Sequence, residues 1–191
     1  AFADEVKQQA IEHIRAGDGG SVDLVIYSIA APRRLDPDTG ELYSTAIKPI
    51  GAPFSGISVD IHSGALTPVT APPATEDEIA HTVKVMGGED WARWIAALAR
   101  AEVLARGATT VALSYVGPGF TAPIYRDGTI GRAKQHLERT AHELARRYAG
   151  RELRALISVN KALVTRASAV IPAVTLYISL LYRVMQRKGL H

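Results

Sequence analysis

Tyr115, Tyr125 and Lys134 fall within one stretch of the chain, Leu113 to Lys134, and their side chains suit one kind of chemistry. A phenol donates a hydrogen bond to an oxygen that gains negative charge, and an ammonium beside it holds sugar hydroxyls or favours that charge. The spacing limits how they can meet. Eight residues separate Tyr125 from Lys134, and Tyr115 lies ten positions before Tyr125. Nine steps of about 100° put Tyr125 and Lys134 on opposite faces of one continuous helix, so a helix spanning both would hold them apart. Asp127-Gly128 is a strong turn signal between them. Tyr125 is therefore expected on a loop just before the helix, with Thr129 as N-cap. The helix then runs through Ile130, Ala133, Leu137, Ala141, Leu144, Ala145 and Tyr148, a rhythm that marks one apolar face.

The elements around this stretch alternate between strand and helix. Asp4 to Arg15 has helical spacing, with Val6, Ala10, Ile11 and Ile14 on one side. Val22 to Ser28 is a short apolar run of the kind found in buried parallel strands. Residues 35–74 are the least regular. Asp36-Pro-Asp-Thr-Gly40 is a turn, Glu41 to Lys48 reads as one arm of a hairpin, and Ile57, Val59 and Ile61 alternate like a second strand. Thr67 to Pro73 reads as a proline-rich connection. Thr75-Glu-Asp-Glu78 is a capping box opening a helix with Ile79, Val83 and Met86, and Gly87-Gly88 interrupts it. A second helix presents Trp91, Trp94, Ile95, Leu98, Ala101 and Leu104 and is expected to end at Gly107. Thr109 to Tyr115 and Leu153 to Val159 are further buried strands. Such alternation predicts an α/β fold, a Rossmann-type parallel sheet with flanking helices and an inserted β-hairpin, in a single domain over 1–191.

The stretch is also specific in its resemblance. Tyr125-x8-Lys134 is similar to the active-site run of the FabV-type enoyl-ACP reductases, also called trans-2-enoyl-CoA reductases, within the short-chain dehydrogenase superfamily. Three more runs carry the resemblance: Tyr27-Ser-Ile-Ala-Ala-Pro-Arg-Arg34, Val159-Asn-Lys-Ala-Leu-Val-Thr-Arg-Ala-Ser168, and Ile171-Pro-Ala-Val-Thr-Leu-Tyr-Ile-Ser-Leu-Leu-Tyr182. Common superfamily members have Tyr-x3-Lys, and other bacterial enoyl reductases Tyr-x6-Lys.

The resemblance implies NADH-dependent reduction of the trans-2 double bond of enoyl-ACP or enoyl-CoA thioesters in fatty-acid synthesis. It implies that Tyr125 is catalytic and stabilises the enolate oxygen as hydride reaches the β-carbon. It implies that Lys134 holds the nicotinamide ribose, and that Tyr115 contacts substrate. Cofactor contacts are expected at Ile29 and Ala30 for the adenosine ribose, at Leu163, Val164 and Thr165 for the nicotinamide carboxamide, and at Ala1 and Phe2 near the adenine. Gln135 departs from relatives that carry a second lysine there. Arg33 and Arg34 read equally well as phosphate contacts or as solvated loop residues. Residues 166–188 are expected to form a loop and helix covering the acyl pocket, which accounts for their apolar character. An acyl carrier protein is an expected partner.

Composition narrows the rest. With no cysteine, thiol chemistry and zinc-thiolate sites are excluded. A net charge of +3 without a block of five or six like charges suits anionic ligands such as NADH, CoA or acyl carrier protein better than nucleic acid. Pro172 and interspersed hydroxyls argue against a membrane helix in Ala167 to Met185. His136 and His142 are six apart and face different ways, so no metal site is expected. No signal peptide pattern opens the chain, and the cytoplasm is the default. There is no Gly-x-Gly-x-x-Gly turn for a pyrophosphate; Gly17-Asp-Gly-Gly20 reads as a helix stop. The chain is therefore expected to be an internal part of a longer reductase, lacking the glycine-rich βαβ unit, with the remainder of its parent as a possible companion. Two other readings stay open: a short-chain dehydrogenase acting on ketones or alcohols, and a folded but inactive fragment.

Overall fold

The computed structural model describes residues 2–17, 19–60, 62–160 and 174–190. Its centre is a three-stranded parallel sheet in the order β1 (Val22–Tyr27), β6 (Leu104–Ser114), β7 (Arg154–Val159). Because all three strands run the same way, Tyr27, Ser114 and Val159 end on one edge. Two connections return the chain to that sheet. The first, between β1 and β6, contains hairpins β2–β3 (Arg33–Leu35, Leu42–Ser44) and β4–β5 (Phe54–Val59, Leu66–Ala71), then helices α2 (Glu76–Met86) and α3 (Glu89–Arg100). The second passes through the one-turn helix α4 (Ala122–Tyr125) and α5 (Thr129–Arg147) to β7. Helices α1 (Asp4–Ala16) and α6 (Val174–Arg187) lie at the two ends of the order.

The core forms where α3 and α5 cover one face of the sheet. Trp91, Ile95 and Leu98 of α3 and Leu137, Ala141 and Leu144 of α5 pack with Ala108 and Ala112 of β6. Small residues on β6 let the helices approach closely, while Trp91 fills the space with no exposed surface. Its indole N–H donates to Thr110 Oγ1 (2.8 Å), and that hydroxyl donates to the Val25 carbonyl (3.1 Å), so a buried polar relay joins α3 to β6 and β1. The opposite face is different. Leu24, Ile26 and Leu156 are each at least half exposed there. The expectation of fully buried strands thus holds for one side only, since the described helices cover one side.

Several local expectations are corrected. The insertion contains two hairpins, and Thr67 to Pro73 is mostly strand β5 instead of a connection. Pro68 pairs opposite Ile57; in a two-stranded ribbon both strands are edges, so the missing N–H can face outward. Helix α3 stops at Arg100, well before Gly107. Glu102 takes the left-handed conformation (φ 60°) usually given to glycine, and the Val103 N–H returns to the Leu98 carbonyl (3.1 Å). Val103 and Leu104 prolong the apolar rhythm past that stop, which hides it from periodicity. Gly107 lies inside β6 at φ 73°, where the register with β1 shifts. In α1 it is Lys7, not Val6, that is buried beside Ile11. Lys7 Nζ pairs with Asp90 (3.0 Å) and donates to the Phe2 carbonyl (2.7 Å). The capping box at Thr75 and Glu78 forms as expected.

Candidate active site

The carboxyl edge of the sheet gathers most of the described candidate residues. Tyr115 follows β6 directly, Ile29 and Ala30 follow β1, and the Asn160 N–H beyond β7 donates to the Ser114 carbonyl (3.0 Å). Open parallel sheets bind ligands outside this edge. After Tyr115 the chain crosses a short loop and a 3-10 turn (Gly119–Thr121) into α4. Tyr125 is the last residue of that single turn, before the bend at Arg126 to Gly128. It sits on a helical turn of its own, not on a loop, and the break between α4 and α5 frees it from the helical phase of Lys134.

Thr129 starts α5 without capping it; Gly128 is the N-cap. The Thr129 hydroxyl is fully buried and donates to the Ala46 carbonyl, while the Lys48 N–H donates to that hydroxyl (3.2 Å). The Thr129 N–H donates to the Lys48 carbonyl (3.0 Å). The segment between β3 and β4 is therefore fastened to the start of α5. This tertiary use of Thr129 displaces its capping role.

Tyr115 and Tyr125 meet ring to ring, edge to face, with centroids 5.0 Å apart at 87°. The Tyr115 hydroxyl is buried without a hydrogen-bond partner among the described residues. Burial first, and then the neighbouring phenols of Tyr177 and Tyr125, push its pKa up to about 12. Burial alone raises that of Tyr125. Lys134, in the second turn of α5, is half-buried. It has no ion pair or hydrogen bond among the described residues, and burial lowers its pKa. The ammonium and the two phenols are thus desolvated groups not joined to one another by hydrogen bonds. Such groups cost stability unless a partner satisfies them, which makes them candidates for contact with a polar ligand.

One wall of the site is apolar. Ile124 beside Tyr125 is fully buried against Val174 and Ile178 of α6, with Tyr177 and Phe54 around them. The first turn of α6 is tied to the β4–β5 hairpin: the Thr175 hydroxyl donates to the Val59 carbonyl (3.0 Å) and lies 3.0 Å from Ser58 Oγ. Tyr177 enters the sequence analysis only as one of the hydroxyls of the last apolar stretch; its regular helical spacing gives no sign that its phenol acts on Tyr115.

The remaining expectations divide. Ile29 is half-buried and Ala30 exposed at the end of β1, open to a ligand. Phe2 lies under the Arg34 guanidinium (5.6 Å from the ring centroid), and its carbonyl accepts from Lys7 Nζ (2.7 Å). Arg34 is neither solvated nor free for a phosphate. It is buried, with Nη1 donating to the Lys84 carbonyl (2.7 Å) and Nη2 to Glu89 (2.8 Å). Gln135 is exposed. Ala1, Leu163, Val164 and Thr165 lie outside the described residues, as does 166–173 of the expected acyl-pocket cover. Among the described residues no helix is long and apolar enough to cross a membrane.

Comparison with known proteins shows the family of the chain. The family model for the trans-2-enoyl-CoA reductase catalytic region matches residues 1–191. The trans-2-enoyl-CoA reductase [NADH] of Clostridium perfringens is 55% identical over 191 residues, which cover 100% of this chain and 49% of that protein. The enoyl-[acyl-carrier-protein] reductase [NADH] of Coxiella burnetii is 55% identical over 192 residues, covering 100% and 47%. Among solved structures, the Treponema denticola trans-2-enoyl-CoA reductase in complex with NAD superposes with a TM-score of 0.95 at 50% identity, over 100% of this chain and 47% of that one. The chain spans about half the length of the curated relatives it matches. Matched from end to end, it belongs to the trans-2-enoyl-CoA reductase family, in that family's catalytic region.

Proposed function

We propose that this chain carries the catalytic region of an NADH-dependent reductase of trans-2-enoyl thioesters, on coenzyme A or on an acyl carrier protein. The observation that carries the reading is the set Tyr115, Tyr125 and Lys134 at the carboxyl edge of a parallel sheet, in a chain whose relatives bear those names. The donor set fits the cofactor. A half-buried ammonium without a partner among the described residues suits the vicinal hydroxyls of a ribose, and a phenol likewise unpartnered among them, beside a second one, suits a carbonyl oxygen.

When bound, the nicotinamide supplies the hydride for the β-carbon of the enoyl group. The chain's own residues do the rest. Lys134 binds and orients the ribose. Tyr125, kept protonated by burial, donates its hydrogen bond to the thioester oxygen, where charge develops. Tyr115 holds the Tyr125 ring by its edge and offers a second donor to the substrate. Ile29 and Ala30 leave room for the adenosine ribose. The apolar wall of Ile124, Val174 and Ile178 keeps water from the developing charge. The backbone beyond β7, including Leu163, Val164 and Thr165, is assigned to the carboxamide by the family resemblance.

A second reading concerns the chain by itself. Spanning about half of its relatives, it folds around the catalytic groups and depends on further polypeptide for turnover. The decisive experiment is NADH oxidation driven by crotonyl-CoA, with Tyr125→Phe and acetoacetyl-CoA as controls. Turnover of crotonyl-CoA that disappears in Tyr125→Phe supports the reductase. Turnover of acetoacetyl-CoA instead would point to a ketoreductase. A folded chain with no turnover, beside an active longer protein, supports the second reading.

A further inference from the structure

Gly117 stands two residues after Tyr115 and eight before Tyr125, in the loop leaving β6. Its φ lies outside the left-handed region, so backbone conformation does not demand glycine. Space does. A Cβ at this position would lie 2.6 Å from Thr121 Oγ1, 3.0 Å from Tyr125 Cβ and 3.3 Å from Tyr125 Cγ. The first distance is a clash, and the other two are tighter than ordinary packing allows. Neither neighbour has an easy retreat. Thr121 is 1% exposed, and both its hydroxyl and its N–H donate to the Pro118 carbonyl, each at 3.0 Å. Tyr125 is fixed at its root by α4, whose Ile124 is fully buried against α6. Its ring is fixed on another side by the edge contact with Tyr115.

We infer that Gly117 is a positioning residue for Tyr125: its missing side chain lets the loop rest against the root of the tyrosine and so sets where the phenol points. This rests on the proposed role of Tyr125 as donor to the substrate oxygen. The hydroxyl lies at the far end of the ring, so a small rotation at Cβ or Cγ becomes a larger displacement at the reacting oxygen. Misplacement on the scale of an ångström costs on the order of 100-fold in rate. Lys134, on another element, is not touched by the substitution, so cofactor binding is separable from it.

Two measurements test the inference. In the chain labelled with ring-13C tyrosine, the Tyr125 resonance is assigned by its loss in Tyr125→Phe. Gly117→Ala moves this resonance, because the ring shifts relative to Tyr115. In the whole enzyme, Gly117→Ala lowers kcat for crotonyl-CoA by roughly 10- to 100-fold and leaves KM for NADH within about 2-fold. Adding Thr121→Ala removes the nearest obstructing atom and restores part of both signals; this double variant also serves if Gly117→Ala alone does not fold. An unmoved resonance with an unchanged kcat, beside a Tyr125→Phe enzyme that has lost turnover, overturns the inference and leaves the proposed function standing. Full turnover by Tyr125→Phe removes the function and the inference together.

Discussion

The Tyr115 ring meets the Tyr125 ring edge-on at 5.0 Å, yet no hydrogen bond joins their hydroxyls among the described residues. The contact fixes the two rings without using their hydroxyls. It also fixes how the pair responds to alkali. The pKa of Tyr115 rises to about 12 on folding, against about 10 in an unfolded chain. Between those values the folded state keeps a proton that the unfolded state has released, so stability falls as pH rises. Urea midpoints at about pH 9 and about pH 11 measure the loss. In Tyr115→Phe it is smaller than in the unsubstituted chain; an equal loss would refute the assignment.

Lys134 is the opposite case. Burial lowers its pKa, so in the window between the folded value and the unfolded one the unfolded chain binds the extra proton, and stability rises with pH. Folding thus disfavours the charged form of Lys134, which has no compensating group among the described residues. Lys134→Met removes that cost and raises the Tm. The same change weakens NADH binding by about 10- to 100-fold, the range expected for losing a charge-assisted hydrogen bond. Calorimetry and fluorescence titration separate the effects. A Lys134→Met chain of lower Tm would show that the ammonium has a structural partner.

Lys7 and Asp90 form a buried pair at 3.0 Å, with side chains 4% and 1% exposed. Removing one member strands the other, so Lys7→Met is expected to cost about 3–5 kcal/mol. Burial, opposed by Lys7, raises the Asp90 pKa. Lys7→Met with Asp90→Leu removes both charges and recovers much of the loss. Chemical unfolding of the two variants decides the matter; equal instability in both would mean that packing, not the charge, was lost.

The relay from Trp91 through Thr110 to Val25 crosses three elements of the core. Thr110→Val keeps the shape and leaves the indole N–H and a strand carbonyl with one partner fewer. A loss of about 1–3 kcal/mol is expected, with little change in the native near-ultraviolet spectrum. Trp91→Ala, which empties the centre of the core, costs about 3–5 kcal/mol. If Thr110→Val were as stable as the parent, the hydroxyl would be a bystander.

The amino-acid sequence by itself determined the kinds of element and marked the candidate residues for chemistry. The alternation of apolar runs with helical rhythms is a local property, set by side chains facing one direction along each element, and it placed β1, β7 and α5 close to where they lie, while β6 starts at Leu104, five residues before the expected Thr109. The spacing of Tyr125, Asp127-Gly128 and Lys134 required a break in the helix, and the break is there. What tertiary structure alone decided depends on partners distant in sequence. Thr129 leaves its cap for the carbonyl of Ala46, and Lys7 turns inward because Asp90 is waiting there. Arg34 is consumed by Lys84 and Glu89, and Gly117 matters because Tyr125 comes to lie against it. No local pattern encodes those meetings, since each is stabilised by a neighbour that only the fold brings near.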